Sequence, residues 1–190
     1  MLISQMYRHI LSEDADRFYY AMLLAPLSPE IEDSAYPEPN AAPAGEADFN
    51  DSSAILYVEY AGRRLLLTGD ASTAVENALV EDYTVTDGEI FAFEAQAEWG
   101  RQRLEPRLEG LEFLKAGHHG SSSSTGKALA EMCRPQAFFV SVGADNPYAH
   151  PSMASAERIL AASPGAQIWR TDEVGSILLT IRADGTWSAA

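Results

Sequence analysis

The sequence predicts an α/β fold in which helices cover a mixed sheet, and three observations carry that expectation. Short apolar runs alternate with helix-compatible segments from residue 53 to residue 182. Most of these runs are bounded by glycine, proline or small polar residues, as strand and helix ends are. The length of 190 residues suits one domain and is enough to bury a substantial core.

Taken in order, Tyr7, Ile10 and Leu11 fall at helical spacing. The run Tyr19 to Leu24, closed by Ala25-Pro26, suits a buried strand or a helix end, and periodicity alone does not decide which. Residues 28–48 hold Pro29, Pro37, Pro39, Pro43, Gly45 and many acids, and read as an exposed loop. Residues 1–49 are therefore set apart as an acidic leader and loop, and 50–190 as the domain proper. Ser53–Tyr60 and Arg64–Thr68, joined by Ala61-Gly62-Arg63, read as a β-hairpin. Ser72–Asp82 is predicted to be a helix, capped by Ser72 or Thr73 with Glu76 near the third position. Glu89–Leu108 mixes charge and aromatics and is expected to be helical in part. Leu111–Lys115 is a short strand, Ser124–Cys133 a helix and Ala137–Val142 an apolar strand. Pro151 marks the start of a helix over Ser152–Ala162. Gln167–Arg170 and Gly175–Arg182 are closing strands around a turn at Asp172–Gly175.

Composition narrows the function. The chain has 28 acidic against 13 basic residues, a net charge of -15, which disfavours passive binding to nucleic-acid phosphates. A bound metal ion would supply the missing positive charge. No run of about 18 apolar residues exists, so no membrane span is expected. The N-terminal residues bring acids where a signal peptide needs an apolar stretch, so a cytoplasmic location is expected. The single cysteine, Cys133, excludes a disulfide framework within the chain and any cysteine-rich zinc site.

Chemistry-bearing residues gather where apolar strands stop. Asp70 follows Leu65-Leu66-Leu67-Thr68-Gly69, His118 and His119 follow Leu114-Lys115-Ala116-Gly117, and His150 lies in the loop after Ala137–Val142. Strand ends of α/β sheets are where ligands collect, because the sheet holds loop residues in one crevice. Imidazole and carboxylate together suit a divalent ion such as Zn²⁺ or Mn²⁺. Each feature also has a plainer reading. Gly69-Asp70 can be an ordinary turn, the histidine pair a solvated loop, and His150 the cap of the next helix.

Their order and company resemble a known family. Asn50–Ser53, Leu65–Ala71 with Thr68-Gly69-Asp70, Leu114–Ser121 with its His-His-Gly-Ser, Ser141–Ser152 with its His-Pro-Ser, and Trp169–Asp172 with Gly175 are similar to metallo-β-lactamase-fold hydrolases. The subgroup they resemble most is the hydrolase domain of competence-type DNA-uptake proteins. The resemblance runs from about residue 50 to residue 182. It implies part of an αβ/βα sandwich and a metal-bound hydroxide that attacks a phosphodiester or other ester-like bond. It also implies that Asp70 is the carboxylate bridging two metal ions and His118 a metal ligand, with His119 as the alternative if the register is read one residue over. His150 corresponds to a histidine at the pocket mouth that contacts substrate phosphate or donates a proton to the leaving group. Ser121 and Asn50 fall near the site without an assigned role. Lys115 is expected to finish its strand.

The sequence departs from that family at one place. Members carry an early His-x-His-x-Asp-His signature, whereas the remaining histidine here, His9, has no such company. The chain resembles the C-terminal half of the sandwich. Asp70, one of His118 and His119, and His150 make at most three protein ligands, and a binuclear site needs more. Weak or no binding of Zn²⁺ or Mn²⁺ by this chain alone is expected, with a second chain or copy completing the fold. The alternative is a non-catalytic half-domain acting as an interaction module or a degenerate pseudoenzyme.

Overall fold

A computed structural model describes residues 9–10, 19–25, 50–97 and 100–190. The fold is mixed α/β, as the alternation of segments predicts. Its centre is the hairpin of β3 (Ile55–Tyr60) and β4 (Arg63–Leu67). Ala61 and Gly62 both take positive φ, 49° and 70°, the pairing that a two-residue hairpin turn matched to strand twist requires. On one side β2 (Tyr19–Ala25) pairs antiparallel with β3, and β1 (His9–Ile10) with β2. The run Tyr19–Leu24 is thus a strand, and the helix expected around residue 10 is contradicted where it is described, because His9–Ile10 pairs with Tyr20–Ala21. The loop expected over 28–48 lies outside the described residues.

On the other side β4, β7 (Phe113–Lys115), β8 (Ala137–Val140) and β9 (Gln167–Arg170) run parallel. Parallel neighbours need crossovers, and helices provide them: α1 (Thr73–Thr86), α2 (Lys127–Cys133) and α3 (Met153–Ala162). The result is one sheet in the order β1-β2-β3-β4-β7-β8-β9. A row of register partners crosses it, Tyr57, Leu66, Leu114, Phe138 and Ile168. Side chains in such a row share a face, and here they pack with Leu79, Leu129, Ala130 and Ile159 of the helices. The opposite face is covered near Phe113 by the hairpin of β10 (Leu179–Ile181) and β11 (Trp187–Ala189), with Trp187 meeting Phe113 edge-on at 5.0 Å.

Several boundaries differ from expectation for identifiable reasons. Residues 89–108 form a single 3₁₀ turn, Glu89–Phe91, followed by a hairpin of β5 (Phe93–Ala97) and β6 (Gly100–Leu104), where partial helix was expected. Glu94 stands opposite Arg103 in the register and meets Arg101 across the hairpin at 3.9 Å, while Arg103 pairs with Glu89 and Glu105 at its flanks. Helix α2 starts at Lys127 instead of Ser124 because the Ser124 and Thr125 side chains bond to Gly117 and Thr125 takes a positive φ. Ser72 stands at the N-cap of α1 without a side-chain cap bond, and Glu76 is turned inward rather than closing a capping box. Pro151 precedes the N-cap of α3; Ser152 is the cap, its Oγ accepting from Ala154 N–H at 3.3 Å. The expected strand Gly175–Arg182 shrinks to β10 and leaves the main sheet, and the turn before it is a short helix, α4 (Thr171–Val174).

Among the described residues no helix is long and apolar enough to cross a membrane. Phe138, fully buried in the middle of the row on β8, tests the packing. Phe138→Ala is expected to cost about 3–5 kcal/mol in urea unfolding, and a loss below about 1 kcal/mol would place the ring outside the core.

Candidate functional site

The three parallel strands β4, β7 and β8 deliver their following loops to one edge of the sheet, and the ladder continues into those loops. His118 N–H donates to Gly69 O at 3.0 Å, and Ala116 N–H to Phe139 O at 2.7 Å. Gly69 takes φ 57°, and a Cβ there would come within 3.0 Å of Ser53 Cβ and 3.2 Å of Ala54 O. Ser53 Oγ in turn accepts from Asp70 N–H at 3.1 Å. The turn is thereby held on both sides, with the Asp70 carboxylate left partly open to solvent at the sheet edge.

The histidine loop is a 3₁₀ segment, Gly117–Gly120, in which His118 and His119 both adopt positive φ, 43° and 55°. Consecutive left-handed non-glycine residues are strained and persist only where the surroundings impose them; such strain is found preferentially at functional sites. Gly120 closes the segment at φ 80°, and a Cβ there would stand 2.8 Å from Pro151 Cβ. His119 Nδ1 lies 2.7 Å from Ser141 O. A carbonyl only accepts, so Nδ1 carries the proton and, in the neutral ring, Nε2 keeps its lone pair. That Nε2 faces Asp70 Oδ1 at 3.9 Å. An imidazole fixed through one nitrogen by a backbone carbonyl, with the other free, is the arrangement found in metal-binding histidines.

His118 stands between the other two histidines, its ring centroid 6.3 Å from that of His119 and 5.4 Å from that of His150. Asn146 organises the loop that carries His150. Its Nδ2 donates to Gly143 O at 3.0 Å and to His150 O at 2.6 Å, while its Oδ1 accepts from Tyr148 N–H and His150 N–H. Ser152 N–H donates to Gly120 O at 2.8 Å and joins this loop to the histidine loop. Desolvation, followed by the neighbouring His118 and His119, holds the His150 imidazole below its ordinary range against the opposing pull of Asp70. A depression of about 470 Å³ opens beside His119, lined also by Ser141, Val142, Gly143, Thr171, Gly175 and Ser176.

The structure therefore brings Asp70 and His119 into one pair and His118 and His150 into another, adjacent one. Lys115 ends β7 as expected, but its Nζ also reaches Gly69 O at 3.5 Å, beside Asp70. Burial pushes its amine below the usual lysine range, with the Asp70 charge opposing. Ser121 is buried and bonds within its own loop, to Ser123 Oγ at 3.0 Å, and Asn50 contributes its backbone carbonyl to Ser53 N–H. Sequence reasoning missed the supporting roles of Asn146 and Thr171. The Thr171 hydroxyl donates to Val142 O at 2.6 Å and accepts from Val142 N–H at 2.7 Å, although an asparagine four residues before a loop histidine was a usable signal.

As a metal centre the constellation is short of donors. Among the described residues, no three His, Cys, Asp or Glu side chains gather closely enough to hold an ion. A catalytic zinc site ordinarily takes three protein ligands, so the pair of Asp70 and His119 does not by itself fit one.

Comparison with known sequences supports a competence-type family. The chain is 28% identical over 131 residues to ComE operon protein 3 of Bacillus subtilis, covering 69% of this chain and 14% of that protein. It is 30% identical over 130 residues to competence protein ComA of Neisseria gonorrhoeae, covering 68% of this chain and 15% of that protein. Recombination protein 2 of Haemophilus influenzae is 29% identical over 110 residues, covering 58% of this chain and 11% of that protein. The chain thus spans about a seventh of the length of the first two of these relatives. No protein-family model matches it.

The clustering of the imidazoles is checked by titration. In ring-proton NMR, His150 is expected to titrate below the ordinary 6.5, and His118→Gln to move its midpoint upward. A midpoint unmoved by His118→Gln would remove the influence of that neighbouring ring on His150.

Proposed function

We propose that this chain carries part of a metallo-β-lactamase-like hydrolase of the competence type, acting on phosphodiester or other ester-like bonds in DNA uptake. The observation that supports this reading is the pairing of Asp70 with the free Nε2 of His119, 3.9 Å apart at the ends of the adjacent parallel strands β4 and β7. In this reading Asp70 and His119 are the donors this chain offers to Zn²⁺ or Mn²⁺, and His118 lies within one ring of both His119 and His150. The remaining ligands come from outside the residues described. A complete metal site of this kind lowers the pKa of bound water and clamps developing negative charge. His150, at the mouth of the site, contacts the substrate phosphate or donates a proton to the leaving group in this reading. The net charge of -15 makes productive binding of a phosphodiester depend on such an ion rather than on surface cations.

The shortfall of donors favours a second reading, in which the same half-site belongs to a non-catalytic interaction module. Metal titration with mass-spectrometric counting separates the two and tests the site. The chain alone is expected to show no tight uptake of two equivalents of Zn²⁺ or Mn²⁺. Residual binding is expected to weaken in Asp70→Ala and in His119→Ala, since each removes one of the two donors the chain offers. Stoichiometric binding of two ions with hydrolysis of a bis-aryl phosphate would overturn the incomplete-site reading. Unchanged binding in both variants would overturn the assignment of Asp70 and His119.

A further inference from the structure

We infer that Glu76 positions the histidine loop, acting through the backbone of Thr125 and Gly126. Glu76 lies on α1 and is fully buried. Its carboxylate oxygens divide between two backbone donors, Thr125 N–H to Oε1 at 2.8 Å and Gly126 N–H to Oε2 at 2.7 Å. The same segment holds the residue before His118. Ser124 Oγ donates to Gly117 O at 2.7 Å, and Gly117 N–H donates to Thr125 Oγ1 at 3.2 Å. Both backbone groups of Gly117 are thus tied to a stretch of chain that Glu76 clamps.

The fit leaves no slack. A Cβ on Gly117 would stand 2.9 Å from Ser124 Cβ and 3.2 Å from Glu76 Oε1, and one on Gly126 2.7 Å from Thr73 Cγ2 and 3.3 Å from Glu76 Oε2. From the other side, Arg158 on α3 donates to the carbonyls of Ser122, Ser124 and Thr125 at 3.0, 2.9 and 3.2 Å. The acid takes the N–H groups and the base takes the C=O groups, each by charge-assisted bonds. Helices α1 and α3 grip the 122–126 segment, and it carries their positions to the histidine loop.

The chemistry calls for a carboxylate. Ionised, it accepts at both oxygens; an amide accepts at one and sets N–H against N–H at the other. Burial outweighs the two N–H bonds and the attraction of Arg158, and pushes the carboxyl up to about 7. Arg158 from α3 and the buried Cys133 thiol from α2 are the charged and titratable groups that face it. The clamp therefore changes its bonding pattern close to neutral pH.

The test follows ring and amide NMR signals with neither metal nor substrate present, so its outcome is separate from that of the hydrolase reading on which the importance of the loop rests. Glu76→Gln is expected to shift the His118 and His119 ring signals and to remove an inflection near pH 7 from the Gly117, Thr125 and Gly126 amides. Tyr83→Phe, which alters a buried side chain elsewhere on α1, is expected to leave those signals in place. Histidine signals unmoved by Glu76→Gln, or moved equally by Tyr83→Phe, would overturn the inference. Ser124→Ala breaks the same series of bonds one link further on. Its His118 signal must move, and an unmoved signal overturns the inference even where Glu76→Gln does not fold.

Discussion

The hydrogen-bond ladder of the parallel strands β4, β7 and β8 does not stop where the strands stop, and the candidate site depends on that extension. Thr68 Oγ1 donates to Lys115 O, His118 N–H to Gly69 O and Ala116 N–H to Phe139 O, so the loops start already in register. Parallel strands place their C-terminal ends on one edge. Asp70, His118 and His119 stand together because the first residues of their loops still obey the sheet. Helices cover one face of the sheet, and the hairpin covers the other near Phe113, at the start of β7.

Much of this was legible because apolar patterning is local. The runs Ile55–Tyr60, Arg63–Leu67 and Ala137–Val140 announce strands, and the residues that follow them announce a site at their ends. What escaped reading depends on partners far along the chain. Glu76 looks like a first-turn acid of a helix, and its burial is decided by Thr125 and Gly126, some fifty residues on. The β5–β6 hairpin hides among charges because β6 carries Arg101, Gln102 and Arg103 in a row and shows no apolar alternation to pair with that of β5. Neither could the choice between His118 and His119 be made from spacing. What distinguishes the two rings in the fold is a partner that spacing does not show: His119 Nδ1 finds the carbonyl of Ser141, 22 residues away.

The acidic balance takes a more specific meaning in the folded chain. Arginines that might have formed a cationic surface are already engaged: Arg64 with Glu112 and three backbone carbonyls, Arg170 with Asp172 and Glu173, and Arg158 with the 122–126 segment. These cations organise loops and strand ends. The half-buried amine of Lys115 reaches Gly69 O beside Asp70, and burial disfavours its charged form. The candidate site is lined by imidazoles and one carboxylate, with the Lys115 amine beside them.

The contact of Gly120 with Pro151, reinforced by Ser152 N–H on Gly120 O, has a consequence for altering this protein. The loop of His118 and His119 and the loop of His150 are separated by some thirty residues, yet they pack directly on one another. Transplanting one of them into a related scaffold without the other would leave its turn unsupported. Lengthening either by a single residue would force the other to rebuild. The two loops form one packed unit, so a change in the length of one is felt by the other.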